Sequence, residues 1–122
     1  MRKLKVLLLA IALLVTSNQS SFAHAELVKS FPAANSTLTK APKFVQLEFG
    51  EAIATLKSKS ANSISLYDAK SHKIATTKIA IKGSIARVEI SEKLISGKYL
   101  IKYRIVSADG HVLNAQYKFT LS

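Results

Sequence analysis

The sequence has no cysteine and no tryptophan, and its single methionine is Met1. Without cysteine, the chain can form no disulfide bond and can offer no thiolate to a metal ion. The fold must therefore be held by its apolar core alone. Any metal site in the body of the chain must use nitrogen and oxygen ligands, since Met1 carries the only thioether.

Acidic residues are also scarce, with 7 Asp and Glu against 18 Lys and Arg, which gives a formal net charge of +11. A basic balance of this size is typical of proteins that bind nucleic acid. The lysines are nevertheless spread singly, with no run of five adjacent basic residues, as on a solvated surface. Together with the export signal described next, this spread predicts that nucleic acid is not a partner.

The first 23 residues have the layout of a secretory signal peptide. A basic start at residues 2–5 precedes an apolar run, Leu7–Val15, and small residues follow at Ser21 and Ala23. The apolar run is shorter than the roughly 20 residues that span a bilayer. We therefore predict a signal peptide at residues 1–23 with cleavage after Ala23, and a retained amphipathic anchor is the alternative.

Cleavage there would leave residues 24–122 as one small exported domain, with no transmembrane segment and His24 as its first residue. Removal of the leader also removes three basic residues, so the net charge of the exported chain is about +8 at neutral pH. Such a surface could steer the protein toward an anionic membrane or an acidic partner.

The exported chain alternates apolar and polar residues with the period of a half-buried strand. Turn signals rich in Gly, Pro, Asp and Ser separate the alternating segments. The pattern predicts an all-β fold of about seven short strands, namely a small Greek-key β-sandwich, with a small barrel as the alternative. The predicted strands include Phe44–Phe49, Ser63–Tyr67, Ile74–Ile81, Ile85–Ile90, Lys98–Ser107 and Leu113–Ser122.

Asp109-Gly110-His111 lies between the last two predicted strands. Asp-Gly at such a position is a strong hairpin signal. The side chains of Asp109 and His111 would share a face if the backbone between them stayed extended. On this stretch alone, a simpler interpretation is that Asp109 caps the turn and His111 is a surface histidine.

His24 adds to this stretch a residue that could chelate a metal once the leader is removed. A free N-terminal histidine offers its α-amine and its ring Nδ1, which close a six-membered chelate ring. Both groups lose a proton readily near neutral pH, unlike a lysine. A third nitrogen from His111 and a carboxylate from Asp109 would give a nitrogen-rich site that suits Cu(II) best, although zinc or nickel could also bind.

Both ends of the exported chain resemble the CopC family of periplasmic copper-resistance proteins. The start reads HAELVKSFPAANSTLTKAPKFVQLEFGEAI, with a mature histidine, a Pro-Ala turn, a second proline and a strand that ends in Phe-x-Glu. The end reads LISGKYLIKYRIVSADGHVLNAQYKFTL, with a Gly-x-Tyr strand and a Ser-x-Asp-x-His loop. The resemblance covers nearly all of residues 24–122.

This resemblance implies a cupredoxin-like or immunoglobulin-like β-sandwich that binds one Cu(II) ion through a histidine brace. By position, His24 would supply the amine and a ring nitrogen, and His111 would supply the third nitrogen. Asp109 would give an oxygen ligand or a charge close to the ligands, and Glu51 is an additional candidate ligand. The resemblance also implies a non-enzymatic role in copper resistance or homeostasis, with an inner-membrane CopD-type copper transporter as a partner.

The sequence leaves three questions open. The first is whether His72 is a ligand, because CopC carries a methionine-rich segment for Cu(I), whereas the corresponding region here contains only His72 as a candidate ligand. Histidine braces also occur in copper-dependent monooxygenases, so an oxidative enzyme is one alternative function. A metal-free immunoglobulin-like binding module is another, and in that case His24 and His111 would lie far apart.

Overall fold

The structure, a computed structural model, describes residues 26–55 and 61–122. The predicted signal peptide and His24 lie outside these ranges. All regular secondary structure in the described part of the chain is β-strand. No helix in these ranges is long and apolar enough to cross a membrane.

Within these described ranges, nine strands form two sheets that pack face to face, which confirms the predicted β-sandwich. The four-stranded sheet has the order β1-β3-β7-β6, and the five-stranded sheet has the order β2-β9-β8-β4-β5. The strands are β1 (Leu27–Phe31), β2 (Thr37–Leu38), β3 (Phe44–Phe49), β4 (Ser63–Tyr67), β5 (Lys73–Ile74), β6 (Ala80–Lys82), β7 (Ile85–Glu89), β8 (Gly97–Val106) and β9 (Val112–Leu121).

The core lies between the two sheets and follows directly from the alternation of the sequence. In β3, Val45, Leu47 and Phe49 are buried, while the residues between them are only half-buried. Strand β8 buries every second residue in the same way, because successive side chains of a strand point to opposite faces. The strands and this core fall within residues 27–121, so this part of the chain contains a complete two-layer fold.

The strand count differs from the expected seven because one predicted strand is divided between the two sheets. The alternating segment Ile74–Ile81 contributes Ile74 to β5 of the five-stranded sheet and its last two residues to β6 of the other. Three consecutive polar residues, Thr76, Thr77 and Lys78, interrupt the alternation at the crossing, and the prediction treated the segment as one strand across them. The two-residue strand β2 is a second addition, and it pairs in parallel with β9.

The long hairpin of β8 and β9 defines the two ends of the sandwich. Val106 pairs with Val112 at one end, which we call the turn end because the Asp109-containing turn lies there. Gly97 pairs with Leu121 at the other end, which we call the far end. The two ends are separated by the ten residues of β8, or about 30 Å at the usual rise per residue.

Candidate metal centre

Two backbone hydrogen bonds close the turn that joins β8 to β9. The backbone N–H of Ser107 donates to the carbonyl of His111 at 2.9 Å, and that of Gly110 donates to the carbonyl of Ser107 at 2.9 Å. Gly110 has a φ of 92°, a value that a side chain disfavours. Asp109 and His111 are therefore brought together by a tight turn, and not by the extended backbone that the sequence suggested.

Asp109 uses both carboxylate oxygens within this turn. Its Oδ1 accepts hydrogen bonds from the Ser107 hydroxyl and from the backbone N–H of His111, the latter at 3.1 Å. Its Oδ2 lies 2.8 Å from the ring Nδ1 of His111. The Ser107 hydrogen bond, followed by that from the His111 backbone, holds the pKa of Asp109 well below its usual range. The carboxylate is therefore ionised at neutral pH.

The contact between Asp109 and His111 also fixes which ring nitrogen is available to a metal. An ionised carboxylate can only accept a hydrogen bond, so His111 must carry its proton on Nδ1. The other nitrogen, Nε2, then presents its lone pair. The His111 side chain is 61% exposed. This is the carboxylate–histidine arrangement that orients and activates histidine ligands in metal proteins.

Ser107 and Asn62 hold the turn in place through side-chain hydrogen bonds to Asp109 and to the end of β8. The sequence did not predict these roles. Ser107 is completely buried, and its hydroxyl contacts Asp109. Asn62, only 6% exposed, accepts a hydrogen bond from the Val106 N–H at 2.7 Å and donates to the Ala54 carbonyl at 2.8 Å. The serine of the Ser-x-Asp-x-His pattern was the one available signal, whereas nothing local marked Asn62.

The chain segment after β3 lies alongside the same turn. Ile53 forms an isolated antiparallel bridge with Ser107, and the Ala52 carbonyl accepts a hydrogen bond from the Ala108 N–H at 2.9 Å. Glu51 precedes this pairing by one residue and is half-buried. The structure therefore brings the Glu51 segment beside the Asp109 turn, although the two are more than 50 residues apart in sequence.

The beginning of the described chain also reaches the turn end. The Glu26 carbonyl accepts a hydrogen bond from the Gly50 N–H at 2.9 Å, so the start of β1 lies next to the residue that precedes Glu51. His24 stands two residues earlier and is outside the described ranges. Within those ranges, no group of three or more His, Asp or Glu side chains is arranged to hold a metal ion.

His72 is too far away to contribute to the same centre. It follows β4, whose last residue, Tyr67, pairs with Leu100 near the start of β8. The loop from Asp68 to His72 therefore lies at the far end, about 20 Å along β8 from the Asp109 turn. There Asp68 Oδ2 lies 3.5 Å from the His72 ring, and the His72 side chain is 73% exposed.

Comparison with known proteins identifies a family for nearly all of the described chain. The profile of the CopC domain matches residues 27–122. The chain is 33% identical over 111 residues to the copper transport protein CutJ of Bacillus subtilis, covering 88% of this chain and 20% of CutJ. It is 30% identical over 117 residues to protein YobA of Escherichia coli K12, covering 92% of this chain and 91% of YobA. The chain thus spans a fifth of one relative and nearly all of the other.

The fold comparison agrees with the sequence comparison. The crystal structure of CopC from Methylosinus trichosporium OB3b superimposes with a TM-score of 0.70 at 29% sequence identity. The match covers 81% of this chain and 94% of that one. The two-sheet sandwich is therefore shared with a solved protein over almost its whole length.

Proposed function

Because the chain belongs to the CopC family, we propose that it is an exported copper-binding protein that holds one Cu(II) ion and catalyses no reaction. It would act in the periplasm, where it would sequester copper or deliver it to an inner-membrane CopD-type transporter. The name of CutJ, a copper transport protein, supports the choice of metal. The contact between Asp109 and His111 supports the location of the site at the turn end.

In this proposal the metal is held by nitrogen atoms from the two ends of the chain. His24 supplies its α-amine and ring Nδ1, and His111 supplies Nε2. Asp109 keeps the proton on Nδ1 of His111 and places a negative charge beside the ion. Of the two roles that the sequence left open for Asp109, the structure favours this orienting one, because both carboxylate oxygens already accept hydrogen bonds.

The chain path makes the participation of His24 feasible. Two residues span at most about 7 Å, which limits the distance between His24 and Glu26. The Glu26 carbonyl is 2.9 Å from the Gly50 nitrogen, at the start of the segment that pairs with the Asp109 turn. The chain before Glu26 therefore enters the described fold at the turn end, where His111 also lies. Glu51, beside Gly50 on this path, is the candidate for a further carboxylate near the ion.

The ligand chemistry favours Cu(II) over Cu(I). Amine and imidazole nitrogens with a nearby carboxylate suit Cu(II), which forms the most stable complexes among the first-row divalent ions. Cu(I) prefers thiolates and thioethers. The chain has no cysteine, and its single methionine belongs to the predicted leader. A single site for the oxidised ion is the arrangement that these residues support.

The experiment is a Cu(II) titration of the protein that begins at His24, with its first residue checked by mass spectrometry. We expect one ion per chain, with binding greatly weakened by His111→Ala. The matched control is His72→Ala, which removes another exposed histidine from the far end and should leave the affinity unchanged. Equal affinities for the two variants would contradict the proposed site. Absence of Cu(II) binding by the unsubstituted protein would favour a metal-free module.

A further inference from the structure

The outer face of the five-stranded sheet carries charged strand residues of one sign only, all of them basic. One outward-facing basic residue comes from β5, three come from β8 and one comes from β9. No Asp or Glu belongs to any described strand of this sheet, and the carboxylate of Asp68 borders it, where Asp68 lines a surface pocket with Lys98 and Lys118. We call this surface the basic face, and its cations are Lys73, Lys98, Lys102, Arg104 and Lys118.

These cations are close enough for their potentials to add. Lys102 and Arg104 are two residues apart on one strand, or about 7 Å. Lys118 lies on the adjacent strand opposite Leu100, between Lys98 and Lys102. Neighbouring strands are about 5 Å apart. Most neighbouring cations therefore lie near or within the Debye length of about 8 Å at physiological ionic strength.

The outer face of the four-stranded sheet is different. Its cations alternate with acids: Lys29 pairs across the strands with Glu48, and Arg87 forms a 2.9 Å ion pair with Glu89. The charge of the described strands is thus collected on one side of the sandwich. A net charge that only served solubility would not require this asymmetry.

Apolar and aromatic groups are interleaved with the cations of the basic face. Tyr67 and Leu100 are half-buried in its middle, and Val112 is 48% exposed at its turn-end edge. The Lys102 ammonium lies 5.3 Å from the centre of the Tyr67 ring. Flexible lysines spread over three strands, with tyrosine and aliphatic groups between them, suit a broad anionic surface better than a partner of one fixed shape.

We propose that the basic face docks onto a bilayer that contains anionic phospholipids. The occupant follows from charge complementarity: phosphate headgroups supply a continuous negative surface, and the charged residues on the strands of this face are all cations. Docking would lay the five-stranded sheet along the membrane with the turn end at one edge. This inference does not depend on which metal His111 binds.

Co-sedimentation with lipid vesicles tests the proposal on the protein that begins at His24. We expect binding to vesicles of phosphatidylglycerol and phosphatidylcholine, no binding to phosphatidylcholine alone, and release by added salt. Two triple variants remove the same charge from exposed positions on different sides of the sandwich. The face variant is Lys98→Gln, Lys102→Gln and Lys118→Gln, and the control is Lys29→Gln, Lys78→Gln and Lys82→Gln.

The face variant should bind about a hundredfold more weakly, since each lysine near an anionic surface contributes roughly fivefold. The control should stay within about threefold of the unsubstituted protein, because its lysines lie beyond the screening distance. Equal losses in both variants would mean that net charge alone drives binding, which overturns the proposal. An unsubstituted protein that ignores anionic vesicles also overturns it, and leaves an acidic protein as the occupant.

A second measurement reports the orientation directly and leaves every charge in place. The chain has no tryptophan, so a single introduced tryptophan is an unambiguous fluorescent reporter. Gln116→Trp places it on the basic face, and Ala80→Trp places it at the exposed edge of the other sheet. With vesicles, only the Gln116→Trp emission should shift to the blue and be quenched by brominated lipid. The same response from both positions, or from neither, contradicts docking through this face.

Discussion

Asp109→Asn is the most informative single substitution, because it changes one atom of the contact that orients His111. Asparagine keeps a carbonyl oxygen that can accept from Ser107 and from the His111 backbone. It replaces Oδ2 by an amino group, which can only donate. The 2.8 Å contact to Nδ1 then favours the ring form with its proton on Nε2. Copper would have to displace that proton to reach its nitrogen.

The structure bounds the loss of copper affinity expected for Asp109→Asn. Loss of a carboxylate that supports a histidine ligand typically weakens metal binding about 10-fold to 100-fold. The His111 side chain is 61% exposed, so water can partly replace the lost acceptor. We therefore expect the lower part of this range, about tenfold, or roughly 1.4 kcal/mol of binding free energy. If Asp109 were itself a ligand, the loss would be larger and the copper spectrum would change.

The assay is Cu(II) titration against a competing chelator, together with nitrogen NMR of the histidine rings in the metal-free protein. Asp68→Asn is the matched control, since it makes the same change in the Asp68–His72 pair at the far end. We expect Asp109→Asn to move the His111 proton to Nε2 and to lower the affinity, and Asp68→Asn to do neither. An unchanged tautomer with unchanged affinity would refute the reasoning.

Two further predictions concern stability. Burial raises the pKa of Tyr117 to about 12, above the unfolded value of 10, so its stabilising contribution is complete below pH 10 and is lost as pH rises toward 12. Between pH 10 and pH 12 the free energy of unfolding should therefore fall about 2 kcal/mol less in Tyr117→Phe than in the unsubstituted protein. An equal fall in both proteins, measured by urea denaturation at each pH, would contradict this. Asn62→Ala should cost about 1 to 3 kcal/mol of unfolding free energy, because it leaves the Val106 N–H and the Ala54 carbonyl, both on half-buried residues, without their partner. The exposed Asn114→Ala is the control in the same denaturation assay, and an equal cost for both would be inconsistent with the role given to Asn62.

The fold could be predicted from the sequence wherever one face of a strand is buried and the other is not. Phe44–Phe49 has the bounds that alternation indicates, and the two long hairpin strands differ from their predicted bounds by one residue. The crossing between Ile74 and Ala80 was not predicted, although the polar residues 76–78 interrupt the alternation there. A short polar interruption does not by itself tell whether the chain stays in one sheet or changes sheets.

The candidate site could be predicted only as far as short-range signals reach. Asp109 and His111 are two residues apart, and Asp-Gly marks their turn. The position of Asn62 depends on pairing between distant segments, which no local pattern encodes. The placement of His72 at the far end follows from the register of β4 on β8, which the sequence also left open.

The central claim is that a free amine at His24 and the ring of His111 bind the same copper ion. Electron paramagnetic resonance of the Cu(II)-loaded protein tests it most directly, with the chain that begins at His24 compared with one that keeps a single methionine before it. The account predicts three coupled nitrogens in the first protein, and loss of the amine nitrogen with much weaker binding in the second. Identical spectra and affinities for the two proteins would contradict it.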